Sequence, residues 1–482
     1  MNITDPYPLH ASRQPDRPAI ITEDETILYR DWESMVRLTA AAFSQEPATH
    51  HRVAIFLPNG HLFLQVFAGA CAAGWASIVG DMRWKQGEID ERLRQTQPDI
   101  IIADESIKDS FHTHSIKVIF SEEIKDWIRH RNEWHADHPS NPPFYIGFTS
   151  GSTGQPKAFI RSHQSWVESF RCNQEDLGLA ESDHVLIPGS FVNSTFLYGA
   201  LSTLYIGGTV YLLKKFAPGR LIQAFHQYPI SVVYTVPTMI QALLDEDWKE
   251  DQEVTFISTG AKLLSSVKKT MKRNFPHASL FEFYGASELS FVTVLKENEQ
   301  TAHGDSVGRP VHNVDMVIRR EDGREARPNE AGILYVKSPM LFDGYLNDKE
   351  ENQNAWDGEW ATVHDLVKKD KNGFVYVIGR KNDMILYGGI NIYPQEIEKV
   401  LKKMDNVEEA VVCGVNDPYW GEKIAACIKG DVSITALKSH CLKQLTPYKI
   451  PRIWKKVTHF PYTSGGKIAR KEVRKWLEVE QV

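Results

Sequence analysis

Apolar positions along the first three hundred residues follow two alternating rhythms, and the alternation predicts a layered α/β domain. Trp32, Met35, Val36 and Phe43 stand at i, i+3, i+4 and i+11, one face of a helix that begins near Asp31. Short β-branched or aromatic runs occupy 53–57, 100–103, 117–120, 209–213, 230–236, 254–258 and 280–284. Many are separated by enough chain for a helix, which predicts parallel βαβ units and sheets covered by helices. Residues 62–80, LFLQVFAGACAAGWASIVG, are almost wholly apolar and close to the length of a bilayer span. Gln65, several small residues and Gly74 in the middle favour a core helix running into a buried strand.

The rhythm changes between about 305 and 345. Runs at 314–319 and 333–337 flank the polar stretch EDGREARPNEAG and predict an antiparallel pair in a smaller β-rich subdomain. It changes again after Arg380. Ile397, Val400, Leu401 and Met404 form an i, i+3, i+4, i+7 face, with Pro394 near its start and Glu396 in the first turn. Strand-like 407–415 and 423–429 follow, then a helix near 434–445 and a last one with Ala469, Val473, Trp476 and Leu477 on one side. The expected fold is α/β: a large N-terminal domain over 1–381, of helix-covered, largely parallel sheets plus a small β-rich subdomain. A small α+β C-terminal domain over 382–482 completes it.

Charge narrows the function. A formal net charge of -7 argues against a general nucleic-acid partner but leaves room for an anionic small molecule held by local donors. The five cysteines are an odd number without metal-ligand spacing, so free thiols in a reducing compartment are expected. The first twenty residues lack a basic region followed by an apolar one, so a cytoplasmic protein with no transmembrane segment is expected.

Candidate chemistry concentrates in Phe148-Thr149-Ser150-Gly151-Ser152-Thr153-Gly154-Gln155-Pro156-Lys157. Glycine lets backbone N–H groups converge on phosphate, Ser and Thr donate hydrogen bonds, and Lys supplies charge. The nucleoside-triphosphate loop that ends in Gly-Lys-Ser/Thr is a different pattern, since Pro156 precedes Lys157 and Ala158 follows it. The segment resembles the phosphate loop of the adenylate-forming superfamily: acyl- and aryl-CoA ligases, carrier-protein adenylation domains and luciferases. Further matches in that superfamily's order extend the resemblance over nearly the whole chain, which looks most like a short bacterial-type acyl-CoA ligase.

Phe283-Tyr284-Gly285-Ala286-Ser287-Glu288 resembles the Tyr-Gly-x-Thr-Glu element. The resemblance implies that Tyr284 stacks on adenine, Ser287 binds the α-phosphate and Glu288 holds Mg²⁺ on phosphate oxygens. Ser258-Thr259-Gly260-Ala261-Lys262 resembles a Gly-Gly-Ala segment whose backbone, here Gly260 and Ala261, lines the adenine and acyl pocket. Thr259 replaces one glycine there, and Lys262 reads either as a surface lysine or as a charge near the acyl pocket. His364-Asp365 stands where many members have Gly-Asp, which gives Asp365 the ribose hydroxyls. Arg380, in Gly379-Arg380-Lys381-Asn382-Asp383, is expected to reach ribose or phosphate, and Asn382 takes the hinge position, where relatives more often carry Asp or Lys.

In the tail, Tyr387-Gly388-Gly389-Ile390 resembles a segment that lines the pantetheine tunnel, and Thr463-Ser464-Gly465-Gly466-Lys467 resembles the element carrying the adenylation lysine. Relatives often show a Phe-His pair after a run like Leu186-Ile187-Pro188; here Phe191-Val192-Asn193 follows and no histidine stands there. Phe191, Val192, Phe196 and Val236, beside Thr235 and Pro237, are the expected apolar acyl pocket.

The function implied is activation of a carboxylic acid with ATP and Mg²⁺, followed by transfer to coenzyme A. Lys467, Thr153 and Glu288 neutralise charge at the α-phosphate, while Lys157 and the loop hold the β- and γ-phosphates. The tail is expected to be mobile, turning about Asn382 so that Gly388 and Gly389 replace Lys467 between the two steps. A free-standing CoA ligase is expected because no carrier domain follows. Loading of a phosphopantetheinyl carrier protein, or non-catalytic nucleotide binding on the same fold, are the alternatives. The apolar pocket favours a medium or long fatty acid, and Lys262 leaves room for a dicarboxylic or aryl acid.

Overall fold

Two apolar helices, packed without a spacer between them, organise the N-terminal core. The computed structural model describes residues 1–111, 115–129, 141–150, 156–380, 383–387, 390–417, 421–445, 447–463 and 467–478. The segment that begins near Asp31 is the helix Tyr29–Ser44, which buries Trp32, Val36 and Phe43 and half-buries Met35. The apolar run 62–80 divides into the helix His61–Ala72 and the strand Ala76–Val79, and the chain turns between them at Gly74, where φ is 75°. Gln65 is buried in that helix, and its Nε2 donates to Thr39 Oγ1 at 2.9 Å, which satisfies an amide that would otherwise be costly there. Among the described residues no helix is long and apolar enough to cross a membrane.

Contacts divide the chain into two compact units, Met1–Met316 with Val336–Ala361, and Val317–Tyr335 with Thr362–Val482. The first unit contains two sheets. In one, parallel strands stand in the order Ser279–Ala286, Thr255–Ser258, Val232–Thr235, His184–Ile187, Thr209–Leu212 and Pro18–Ile21, with antiparallel Ser290–Leu295 beside Ser279–Ala286 and antiparallel Thr26–Leu28 beside Pro18–Ile21. In the other, Pro143–Ser150, Ala76–Val79, Arg52–Phe56, Ile100–Ala103 and Lys117–Phe120 are parallel, and Pro156–Ser162 runs back along Pro143–Ser150. Central strands such as Ala76–Val79 and Ile100–Ala103 are buried at every position, as continuous apolar runs require when both faces are covered. This is the largely parallel arrangement that the spacing predicts.

In the second unit the strands Ala331–Lys337, Asp365–Lys369 and Val375–Arg380 form an antiparallel set, and Asp315–Arg319 pairs with Ala331–Lys337. The tail follows the expected order. Pro394 opens the helix Pro394–Leu401, which buries Ile397, Val400 and Leu401. Val407–Asp417 and Gly421–Gly430 pair antiparallel from Val407 opposite Gly430 to Asp417 opposite Gly421. Ser433 Oγ accepts from the Ala436 N–H to cap the helix Ile434–Gln444. The helix Arg470–Glu478 buries Val473 and Leu477 against Val411, Cys413 and Val415. Residues 381–382, where the domain boundary is expected, lie outside the described residues. All five cysteines are buried free thiols.

The helix pair gives a direct test. A Cβ at Gly69 falls 2.5 Å from Thr39 Cγ2, so a larger residue must push Tyr29–Ser44 away from His61–Ala72. Gly69→Val is expected to lower the unfolding free energy by about 1–3 kcal/mol through overpacking, measured by urea titration.

Candidate active site

The Gly/Ser loop joins two antiparallel strands, with Thr149 opposite Lys157 and Ser150 opposite Pro156. Residues 151–155, which include Gly151, Ser152, Thr153 and Gly154, lie outside the described residues, as does the Ser150 side chain. Lys157, the first cation after the loop, pairs with Glu351, and its Nζ sits 5.4 Å over the Tyr345 ring. The Tyr345 hydroxyl in turn donates to Glu288 Oε1 at 2.9 Å. One tyrosine therefore connects the lysine of the loop to the carboxylate of Tyr-Gly-Ala-Ser-Glu.

Glu288 is buried, and among the described residues hydrogen bonds reach only its Oε1. The remaining oxygen is an acceptor, and an oxygen-only donor of this kind fits Mg²⁺. The turn that aims it is tightly constrained. A Cβ at Gly285 would meet Ser290 O at 1.9 Å, and Ser290 itself adopts φ 61°. The chain can reverse from Ser279–Ala286 into Ser290–Leu295 only with glycine at 285.

The residue that fixes this turn is Arg161, which the sequence reading missed. Its side chain is 1% exposed, and its guanidinium donates from Nη1 to Ser287 O at 2.9 Å, from Nη2 to Met340 O at 2.7 Å and from Nε to Ser165 Oγ at 3.1 Å. Burial pushes the guanidinium down to about 10, against the opposing pull of the Asp343 and Glu288 carboxylates, so it stays charged at neutral pH. Phe342 N adds a donation to Glu288 O at 2.9 Å. The strap around 340–345 thus holds the Ser287–Glu288 backbone from one side. Tyr345 and Glu351 were missed as well. The one signal available was an arginine inside the apolar strand run Ala158-Phe159-Ile160-Arg161, a position arginine occupies only when paired.

Gly260 has φ 92°, the left-handed region that favours glycine, and Ala261 beside it is exposed. Thr259 replaces a glycine without strain, because its Oγ1 donates to Phe283 O at 3.0 Å and ties the segment to the strand carrying Tyr284 and Gly285. Lys262 is neither a surface cation nor an open charge near an acyl pocket. Its Nζ donates to Glu282 Oε2 at 2.9 Å and Ser306 O at 2.6 Å, and Lys268 pairs with the same buried carboxylate. Burial pushes Lys262 down to about 8, opposed by Glu282 and reinforced by Lys268.

Of the four acyl-pocket candidates, Phe191 and Val192 line a cavity of about 370 Å³ together with Phe63, Phe216 and Met239. Asn59 shapes its edge, donating from Nδ2 to Gly189 O at 2.6 Å and accepting from Phe191 N at 3.0 Å. Phe196 is not on this wall; it packs under Gly189, where a Cβ would fall 2.1 Å from its ring. Val236, half-buried, precedes the helix Pro237–Leu244 and is also off the wall. Three cations reach the same cavity: Lys214, which pairs with Asp24, Lys215, and Arg83, whose guanidinium forks onto Asp81 at 2.9 and 2.7 Å.

In the second unit, Asp365 is buried and stands opposite Arg380 across an antiparallel pair. The Arg380 side chain, Asn382, Gly388 and Gly389 lie outside the described residues. His364 has φ 58°, the left-handed backbone that explains why many relatives place glycine there. Lys467 is exposed; its N–H donates to Thr463 Oγ1 at 3.2 Å and its carbonyl accepts from Thr463 N at 2.7 Å.

Comparison with known proteins shows the family and the fold. Residues 8–346 match the AMP-binding enzyme family, and residues 396–467 match the AMP-binding enzyme C-terminal domain. The chain is 45% identical, over 99% of both chains, to the uncharacterized acyl-CoA ligase YhfT of Bacillus subtilis. It is 34% identical to the putative long chain fatty acid-CoA ligase VraA of Staphylococcus epidermidis over 68% of this chain and 70% of that one. It is 26% identical to the 2-succinylbenzoate-CoA ligase of Bacillus subtilis over 96% of each. Among solved structures, o-succinylbenzoate CoA synthetase of Bacillus subtilis in complex with its acyl-adenylate OSB-AMP shares the fold, with a TM-score of 0.89 and 24% identity over 97% of both chains. ATP-bound MatB of Rhodopseudomonas palustris shares it with a TM-score of 0.89 and 22% identity over 99% of both.

Substitutions at two positions test the framework. Arg161→Met leaves the Ser287 and Met340 carbonyls without their donor and is expected to cost about 3–5 kcal/mol in denaturant unfolding. At 364, a β-branched residue must pay the left-handed penalty, so His364→Val is expected to lose about 1–2 kcal/mol while His364→Gly loses little or none.

Proposed function

The chain belongs to the AMP-binding enzyme family and is an acyl-CoA ligase, and on that premise we propose how its residues divide the work and which acid they take. The observation that carries the proposal is the connection Lys157–Tyr345–Glu288, which joins the base of the Gly/Ser loop to a buried carboxylate suited to Mg²⁺. ATP, a carboxylic acid and coenzyme A are the substrates. A carboxylate cannot form a thioester directly, because oxide is too poor a leaving group. Its oxygen instead attacks the α-phosphorus of ATP, the bond to pyrophosphate breaks, and acyl-AMP forms. The thiol then attacks the acyl carbon and AMP departs with the electron pair of the broken C–O bond.

The roles are assigned by chemistry. Thr149, Ser150, Gly151, Ser152, Thr153 and Gly154 wrap the phosphates, and Lys157 adds charge once ATP competes with Glu351 for its ammonium. Tyr284 and the Gly260–Ala261 backbone take adenine, Ser287 donates to the α-phosphate, and Asp365 and Arg380 take the ribose. Bound at Glu288, Mg²⁺ supplies positive charge to the phosphate oxygens. Lys467 stabilises the charge that grows at the α-phosphate. The Gly388–Gly389 segment serves the thiol step, with Asn382 as the turning point of the tail. Coenzyme A is favoured over a carrier protein as acceptor because the relatives are named CoA ligases.

The acid is proposed to be a fatty acid. The aromatic and aliphatic wall of Phe63, Phe191, Val192, Phe216 and Met239 supports it, as does the name of the VraA relatives. One observation favours a second reading, an aryl acid with a further carboxylate. Arg83 and Lys215 reach the same cavity, and one relative is a 2-succinylbenzoate-CoA ligase.

Pyrophosphate release across a panel of fatty, aryl and dicarboxylic acids decides between them; a preference for acids with a second carboxylate overturns the fatty-acid reading. Lys467→Ala is expected to reduce acyl-AMP formation by at least about a hundredfold, the size of effect expected from removing one transition-state donor. Conversion of pre-formed acyl-AMP to thioester is expected to be largely kept. Full acyl-AMP formation by the variant removes the role given to Lys467.

A further inference from the structure

Cys172 and Asp176 stand one turn apart at the end of the helix His163–Glu175 and face His312 and Asn313, which follow the strand Arg309–Pro310. We propose that Cys172 Sγ, the Asp176 carboxylate and His312 Nδ1 form a binding site for a thiophilic divalent cation of the Zn²⁺ class. The three donor atoms lie within 4.8 Å of one another. Asp176 Oδ2 and His312 Nδ1 are 3.0 Å apart, close to the edge of about 3.3 Å that bonds of ~2.0–2.1 Å give a tetrahedron.

The donor set selects the ion. One sulfur, one imidazole nitrogen and one carboxylate oxygen suit Zn²⁺, whereas Mg²⁺ takes oxygen alone. Asn313 Oδ1, 3.3 Å from Cys172 Sγ, supplies a carbonyl oxygen for the fourth position. Burial falls from Cys172 through Asp176 to the exposed His312, which leaves an entry from the surface. Glu175 Oε2 lies 3.8 Å from His312 Nε2, a carboxylate on the side of the ring away from the ion. An ordinary tether of the loop to the helix accounts for the Asp176–His312 contact, but it needs no thiol at that spot.

Burial pushes the Cys172 thiol well up in the absence of an ion, with the Asp176, Glu175 and Glu168 carboxylates acting in the same direction. Binding as a thiolate therefore releases the Sγ proton to solvent. His312 is far in sequence from Cys172 and Asp176, so no local motif announces the set. The site also adjoins the Arg161 strap, since Met340 Sδ lies 3.5 Å from Cys172 Sγ.

The test uses the untagged full-length chain and Zn²⁺ alone, by equilibrium dialysis in a non-chelating buffer. Wild type is expected to bind one Zn²⁺ per chain with release of the thiol proton, and Co²⁺ in its place is expected to give a thiolate charge-transfer band. His312→Ala and Cys172→Ser are each expected to weaken Zn²⁺ binding by about tenfold or more, and Cys172→Ser to abolish the cobalt band. Failure of wild type to bind overturns the site, as does unchanged affinity in His312→Ala or a cobalt band that survives in Cys172→Ser. His312 is exposed, and a metal-free melting temperature equal to wild type confirms that its variant is folded.

Discussion

A buried guanidinium holds the Ser287–Glu288 turn together. Arg161 lies on the strand that leaves the Gly/Ser loop, and it donates to the carbonyls of Ser287 and Met340 and to the Ser165 hydroxyl. A charge taken out of water is tolerable only when every donor finds an acceptor, so the guanidinium dictates where those two carbonyls must be. The Ser287–Glu288 turn and the 340–345 strap are thereby set against the loop strand. Tyr345 and Lys157 then fall into place, because Tyr345 pairs with Phe159 two residues before Arg161.

This explains an economy in the site. The segments that touch nucleotide in the proposed reading are loops and strand ends, which carry little packing of their own. Rigidity comes from elements next to them: glycine at 285, where any Cβ would strike Ser290 O, and Thr259, whose hydroxyl clips its loop to the Phe283 carbonyl. Lys262 belongs to the same scaffolding. With Lys268 it neutralises the buried Glu282, whose other oxygen accepts from Leu263 N at 3.0 Å. A cation that looks available in sequence is committed to structure.

The departures from the superfamily pattern are of two kinds. His364 and Thr259 stand where glycine is common, and each is accommodated locally: His364 adopts the left-handed backbone, and Thr259 gains a hydrogen bond. The absent histidine near Phe191 is different, because it changes the wall of a cavity rather than a turn. That wall combines aromatic surface with Arg83 and Lys215, so in the proposed reading acid selection falls to side chains from distant segments.

Sequence by itself determined the elements and their order. Periodicities of 3.6 and 2 are local, and so are proline at the start of Pro394–Leu401 and the Gly/Ser string before Lys157, so the αβ alternation and the tail could be read directly. The order of motifs was legible for the same reason. Tertiary structure decided what depends on residues far apart in the chain: Arg161 with Met340, Tyr345 with Glu288, Cys172 with His312, and the placing of Phe191 on a cavity wall while Phe196 packs beneath it. A buried charge must find its partners wherever the fold brings them, and no spacing in the sequence records that distance.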